Sequence, residues 1–441
     1  LGSTKLIGAM KWVKRLSLAF FALVLVVFAL MGVLYATRGT PTRAVFSFND
    51  PFGPPAITDS TFLGNIELLT KTELAGGHTV DLLFNGNGTY PRLWQDLRSA
   101  RRNITLQLYY CMPGVLADSL KHVLIDRARA GVRTLVLLDA FGAQDITDEY
   151  KDSLRSVGIR VADFRPLRWY ALHKAQHRSH IRVVVIDDTV GYTGGFGIAD
   201  MWQGDGHSKE QWRETNVRFT GPAVQQLQAA FSGAWTETTG ELLTGHSATH
   251  ISDVTNAGGT VAGLMHAEPA VGSTVAERFL ALTLVGARKT LFITNAYFVP
   301  DDDFRRMLRD AARRGVDVRV LTAGKETDVK TVRLAARRRY DELLRDGVQI
   351  YEYRPTMVHA KTIVADGIWS TIGTMNFDNR SLALNDESNL LVYDTAVGGA
   401  LQRQFLDDLR FSDRIDLRTF EGRSVFTKAL ERLASGIAKI L

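Results

Sequence analysis

Two histidines stand in matching surroundings far apart in the chain. His180 is followed by Ile181 and Arg182, with Asp187 after four further residues. His359 is followed by Ala360 and Lys361, with Asp366 at the same spacing. Each copy then reaches a glycine-bearing segment, Gly194-Gly195-Phe196-Gly197 in the first and Gly373-Thr374-Met375-Asn376 in the second. A single His-x-Lys/Arg-x4-Asp match has a chance probability on the order of a few per cent in a chain of this composition. Two matches at corresponding places are not a coincidence. On a strand, alternate side chains share a face, so each histidine is expected to project beside its cation. That pairing suits phosphodiester chemistry: the cation neutralises the non-bridging oxygens while the imidazole attacks phosphorus or moves a proton. The glycines downstream allow a second stretch of backbone to approach closely.

The elements that position these groups are themselves duplicated. Ala100 to Pro113 matches Ala287 to Pro300, each an apolar run behind a basic pair. Asp126-Arg127-Ala128-Arg129-Ala130-Gly131-Val132 matches Asp310-Ala311-Ala312-Arg313-Arg314-Gly315-Val316. Both predict a helix ended by a glycine and followed by a buried strand, residues 135–138 and 318–321. Gly158 and Gly347 close another helix in each copy and open strands toward Arg165-Pro166 and Arg354-Pro355. The spacing between copies drifts by only two positions from Pro113/Pro300 to Pro166/Pro355. Alternating strands and helices, made twice, predict an α/β fold of two related domains, each a β-sheet flanked by helices. A Gly-, Ser-, Thr- and Asn-rich connector divides them. The expected boundaries are 1–43 for an N-terminal tail and anchor, 44–245 for the first domain, 246–260 for the linker and 261–441 for the second domain.

Residues 16–36 carry no charge. At about 1.5 Å per residue such a helix crosses a hydrocarbon core of roughly 30 Å. Lys11, Lys14 and Arg15 precede it while only Arg38 and Arg43 follow closely. The positive-inside bias therefore places the N-terminus in the cytoplasm and the domains on the outer face of the cell membrane. A cleaved signal peptide is the competing reading, against which the run is longer than an h-region of roughly 7–15 residues and Leu34 fits a cleavage site poorly. Met10 offers a native start, so residues 1–9 are left out of the fold reading. The net charge of +6 suits partners bearing phosphates, whether anionic lipid or nucleic acid. Cys111 is alone, which excludes an intrachain disulfide and a cysteine-based metal site.

The motif residues resemble the phospholipase D superfamily with its duplicated HKD motif, His-x-Lys-x4-Asp, over roughly residues 82–405. His359-Ala360-Lys361-Thr362, Gly373 to Ser381, Trp212-Arg213-Glu214-Thr215-Asn216 and Ala128 to Arg133 are similar to bacterial cardiolipin synthases in particular. The resemblance implies duplicated phospholipase D-like domains with the active site at their interface. It implies a histidine dyad, with His180 favoured as the nucleophile that forms a phosphohistidine and His359 as proton donor to the leaving alkoxide. Arg182 and Lys361 would bind the phosphate, and Glu214 and Glu387 would orient the histidines. Asn376, Gly195 and Thr374 would contact substrate, and Asp187 and Asp366 would brace the motif. No metal or cofactor is implied. The expected activity joins two phosphatidylglycerols into cardiolipin and glycerol in the bilayer; a lipid-hydrolysing phospholipase D or a membrane-tethered nuclease is the second reading, and a non-catalytic scaffold the third.

Two departures from the family pattern lie in the first copy, where Arg182 replaces lysine and Gly197 stands opposite Asn376, removing a donor. About ten extra residues precede His180, including Trp169 and Tyr170, which form an aromatic-basic lip suited to lipid headgroups or else a solvated loop. The tail from Val425 to Leu441, with Phe426, Leu430, Leu433, Ile437 and Leu441, has amphipathic spacing and is expected to lay its apolar side on the second domain, with membrane contact as the second reading.

Overall fold

The computed structural model describes residues 2–36, 42–47, 53–166, 177–244, 258–270 and 272–437. Trp169, Tyr170 and most of the expected linker lie outside the described residues. Helix α1 (Gly2–Ala36) contains a stretch, Lys14–Val33, long and apolar enough to cross a membrane, and none of it is buried against the body. Helix α2 (Phe62–Thr70), expected in the first domain, packs on the second half instead, where Ile57, Phe62 and Ile66 join the core around Phe279 and Trp369. The first half runs through β1 (Ala75–Phe84), α3 (Asn85–Ser99), β2 (Asn103–Leu108), α4 (Val115–Arg129), β3 (Arg133–Asp139), α5 (Asp148–Arg155) and β4 (Arg160–Phe164). It closes with β5 (Val183–Ile186), β6 (Val190–Gly194), β7 (Thr215–Thr220) and α6 (Ala223–Thr239).

The second half repeats this plan. It comprises β8 (Thr260–Ala267), α7 (Val275–Gly286), β9 (Thr290–Asn295), α8 (Asp302–Arg313), β10 (Asp317–Ala323), α9 (Lys330–Arg337), α10 (Tyr340–Arg345) and β11 (Gln349–Tyr353). There follow β12 (Lys361–Ala365), β13 (Trp369–Gly373), α11 (Asn379–Ala383), β14 (Glu387–Tyr393) and α12 (Thr395–Asp408). Strand β15 (Ser412–Arg414), α13 (Leu417–Glu421) and α14 (Val425–Ile437) finish the described chain. The order of strands is β15-β11-β10-β9-β12-β13-β14-β8-β1-β7-β6-β5-β2-β3-β4. Apart from β15 this list is symmetric about the β8–β1 pairing, so the two sheets join edge to edge into one.

Strands β2, β5, β12 and β13 are buried along their whole length because helices cover both faces of the sheet. One core spans the halves, with Val183, Val217 and Phe231 from the first meeting Leu264, Leu390 and Phe405 from the second. Each such side chain contributes about 1.5–3 kcal/mol on burial. The helix-ending glycines Gly131, Gly158, Gly315 and Gly347 all take positive φ.

The tail departs from expectation. Helix α14 packs on α9 through Ala434 and Glu431, while Val425, Phe426 and Leu433 face outward at 84%, 73% and 68% exposure. The reason is electrostatic: Glu431 is fully buried between Arg423, at 2.9 Å, and Arg337, at 3.7 Å. Pairing that carboxylate fixes the helix with its polar side inward.

Candidate active site

Both histidines sit just before a strand rather than on one, because the backbone there is bridged to the other half. Ser179 pairs with Asp386 and Val358 pairs with Arg213. The His180 amide donates to the Asp386 carbonyl at 3.0 Å, and the His359 amide donates to the Arg213 carbonyl at 2.7 Å. Asp386 and Arg213 each immediately precede a glutamate, Glu387 and Glu214. The imidazoles are consequently oriented crosswise. His180 Nδ1 lies 3.0 and 2.9 Å from the carboxylate oxygens of Glu387, and His359 Nδ1 lies 2.6 Å from Glu214 Oε2. Each half supplies the carboxylate for the other half's histidine. With Nδ1–H donated to glutamate, Nε2 of each ring keeps its lone pair for chemistry.

Burial, opposed by Glu387, draws the pKa of His180 down to about 4. Burial and then the Lys361 charge bring His359 to about 4 as well. For Glu214 burial acts to raise the pKa, but His359, Lys361 and hydrogen bonds overcome it and hold the group at about 2. Glu387 is lowered on the same pattern, chiefly by His180 against burial. Two neutral imidazoles between two ionised carboxylates result near neutral pH.

The cations are folded back on their own histidines. Arg182 donates from Nη1 to the His180 carbonyl at 2.5 Å and from Nε to the Phe196 carbonyl at 3.1 Å. Lys361 donates to the His359 carbonyl, and its Nζ is 2.9 Å from His359 Nδ1. Since Nδ1 gives its proton to Glu214, the ammonium's hydrogen bond is to the carbonyl. Lys361 is 1% exposed, and burial drags its pKa down to about 7.

The first copy's Gly197 is answered by Trp202. A Cβ on Gly195 would lie 2.4 Å from Glu214 Oε2, and a Cβ on Gly197 would lie 2.8 Å from the Trp202 ring. Trp202 fills the room opposite Asn376 and donates Nε1–H to Glu214 Oε2 at 3.3 Å. In the second copy Thr374 donates its hydroxyl to Glu387 Oε2 at 2.5 Å instead. Gly195 and Thr374 thus stand behind the glutamates, not on the cavity where substrate contact was expected. Sequence reading missed Trp202 because it reaches the site from a six-residue insertion relative to the second copy. Asp187 and Asp366 lie at the motif ends and cap homologous turns. Asp187 accepts from the amides of Arg101, Arg102 and Asn103, and Asp366 from those of Arg288, Lys289 and Thr290.

His180, His359, Arg182 and Asn376 line one cavity of about 710 Å³, walled by Tyr109 and Trp212 among others. Tyr109 meets His180 edge-on at 5.1 Å, and Trp202 meets His359 edge-on at 5.4 Å. Arg178 and Arg380, which the motifs did not flag, bring further positive charge to the same cavity.

A duplicated histidine–glutamate site with paired cations, at the join of two matching α/β halves, is the site of a phospholipase D-type enzyme. A family model described as "Cardiolipin synthase, PLD-like domain" matches residues 280–409. Cardiolipin synthase of Geobacillus kaustophilus is 34% identical over 381 residues, which cover 85% of this chain and 76% of that protein. Cardiolipin synthase 2 of Bacillus anthracis is 33% identical over 351 residues, 79% of this chain and 68% of that one. The crystal structure of phosphatidylserine synthase from Haemophilus influenzae shares the fold, with a TM-score of 0.63 at 12% identity, covering 86% of this chain and 98% of its own. The chain belongs to the cardiolipin synthase family of the phospholipase D superfamily.

Proposed function

We propose that the protein transfers a phosphatidyl group from one phosphatidylglycerol to a hydroxyl of another, giving cardiolipin and glycerol through a phosphohistidine. The observation that carries this reading is the crossed pairing of two buried histidines with two buried glutamates around one cavity. Nε2 of one imidazole, His180 on the family resemblance, attacks phosphorus. The bond from phosphorus to the headgroup glycerol oxygen breaks, and the other imidazole delivers its Nε2 proton to that oxygen. The phosphate anion between the rings raises the pKa of the proton donor, which its surroundings otherwise hold low. Arg182 and Lys361 turn from their carbonyls to the non-bridging oxygens and stabilise the charge that develops there. In the second step a hydroxyl of the acceptor lipid gives its proton to the donor imidazole and attacks phosphorus, and the P–N bond breaks. Water in place of the acceptor yields phosphatidic acid.

The Lys14–Val33 stretch anchors the protein in the cell membrane, with the N-terminus cytoplasmic and the catalytic halves on the outer face. Trp169 and Tyr170, which precede His180 in sequence, have the amphipathic rings that suit contact with lipid headgroups.

Purified full-length protein assayed on phosphatidylglycerol vesicles and on single-stranded DNA tests the reading. Cardiolipin and glycerol are expected from the first and no cleavage of the second. His180→Ala and His359→Ala should each leave less than a tenth of turnover, because attack and proton delivery are separate duties. DNA cleavage without lipid transfer would overturn the assignment.

A further inference from the structure

Helix α14 is built inside out for a soluble protein. Its packed side is Ala434 and Glu431, whereas Val425, Phe426, Leu430 and Leu433 form one continuous outward arc, 40–84% exposed. At 100° per residue these four positions fall within about 140° of the helix circumference, the width of an apolar face that ordinarily meets a core. Arg432 is exposed at the edge of that arc, with Lys428 beside it, and the helix's one acidic residue, Glu431, is buried. Large apolar side chains with a cationic border fit an anionic lipid surface.

The position of the helix supports the same partner. Residues 42–47 follow the α1 segment and lie on the second half, where Thr42 Oγ1 is 3.1 Å from Ser273 Oγ and Arg306 donates to the Arg43 carbonyl at 2.6 Å. Val45 packs on the core that contains residues of α8, α9, α10 and α13. Crossovers between parallel β9, β10 and β11 put α8, α9 and α10 in one layer on one face of the sheet. Helix α14 covers α9 in this layer, and Val332 of α9 lines the catalytic cavity. The few residues between Ala36 and Thr42 reach at most about 20 Å when fully extended. A membrane-spanning α1 therefore holds this layer near the bilayer.

We infer that the outward face of α14 docks on the anionic membrane surface and seats the cavity beside α9 against the lipid. The inference rests on the membrane-anchored reading above. Docking fixes the orientation of a body that the α1 tether alone would leave free to turn, so it raises the effective concentration of lipid at the cavity.

Full-length protein carrying Leu433→Cys, labelled with an environment-sensitive dye and reconstituted into phosphatidylglycerol–phosphatidylcholine vesicles, tests it. Cys111 can stay, since it is buried and its thiol is pushed up to about 12. The dye should shift to the blue and be quenched by spin-labelled lipid, while the same dye at Asp152→Cys on the first half stays in water. Equal, weak quenching at both sites overturns the inference. So does an unquenched Leu433→Cys that cross-links two copies, which would make the face a contact between chains. Phe426→Ser with Leu433→Ser removes only outward side chains and should lower turnover on vesicles about tenfold, leaving a soluble short-chain diester unaffected. Equal loss on both substrates overturns it. A dye at Leu23→Cys reports the anchor separately, and the quenching arm stands whether or not the protein transfers phosphatidyl groups.

Discussion

Replacing Lys361 with arginine should remove the alkaline limit of the reaction. The lysine is fully buried, and desolvation draws its pKa from 10.5 to about 7 despite the favourable charge of Glu214. Only the ammonium can neutralise a phosphate oxygen, so kcat/KM should approach a tenfold fall per pH unit well above 7, and drop about 50-fold between pH 7, where half the lysine is charged, and pH 9. Arginine stays charged throughout, and Arg182 shows that such a side chain can sit at this position of the motif by bonding the carbonyl of its own histidine. The variant-to-wild-type ratio should therefore rise about 50-fold between pH 7 and 9, whatever the variant's absolute rate. A water-soluble phosphatidylglycerol assayed at low concentration reports kcat/KM of the free enzyme. Unfolding is a poor alternative cause. The folded pKa is below the unfolded one, so between pH 7 and 10.5 the unfolded chain holds the extra proton, and the lysine's own contribution to stability rises with pH while activity falls. Parallel alkaline limbs in the two proteins would refute the reasoning.

Gly195→Ala should cut turnover about 100-fold with little change in thermal midpoint, since its Cβ would lie 2.4 Å from Glu214 Oε2 and displace the carboxylate that orients His359. Assay and melting curve together check this; a fully active variant would show that the carboxylate can move freely. Asp366→Ala leaves the amides of Arg288, Lys289 and Thr290 without their acceptor and should cost about 1–3 kcal/mol, read by denaturant unfolding. With a donor chiral at phosphorus, the double displacement predicts net retention by phosphorus NMR, and net inversion would count against a phosphohistidine.

The repeat was legible because each chemical residue sits at a fixed spacing from a glycine or a strand, and because Gly131 and Gly315 end equivalent helices at positive φ. The crossing of the pairs was not. Glu214 and Glu387 follow their own motifs in sequence, and only the bridges Ser179–Asp386 and Arg213–Val358 hand them to the opposite histidine. Trp202 was equally hidden, since a tryptophan in an insertion carries no sign that its indole replaces a threonine hydroxyl. The tail's spacing gave its amphipathic period correctly but not which side faces in, because one buried carboxylate, Glu431, outweighs the apolar arc.

The crossed pairs also set a clock on the newborn chain. His180 takes its carboxylate from Glu387, 207 residues later, and His359 takes its own from Glu214. A ribosome adding about 5–20 residues per second needs roughly ten to forty seconds to cover that interval. Throughout it the first histidine lacks both the carboxylate that fixes its tautomer and the Asp386 carbonyl that holds its amide. A chain stopped near residue 244 carries a whole motif and no working site. Chemistry directed at the cell's own lipids begins only once the second half has been made and has closed on the first.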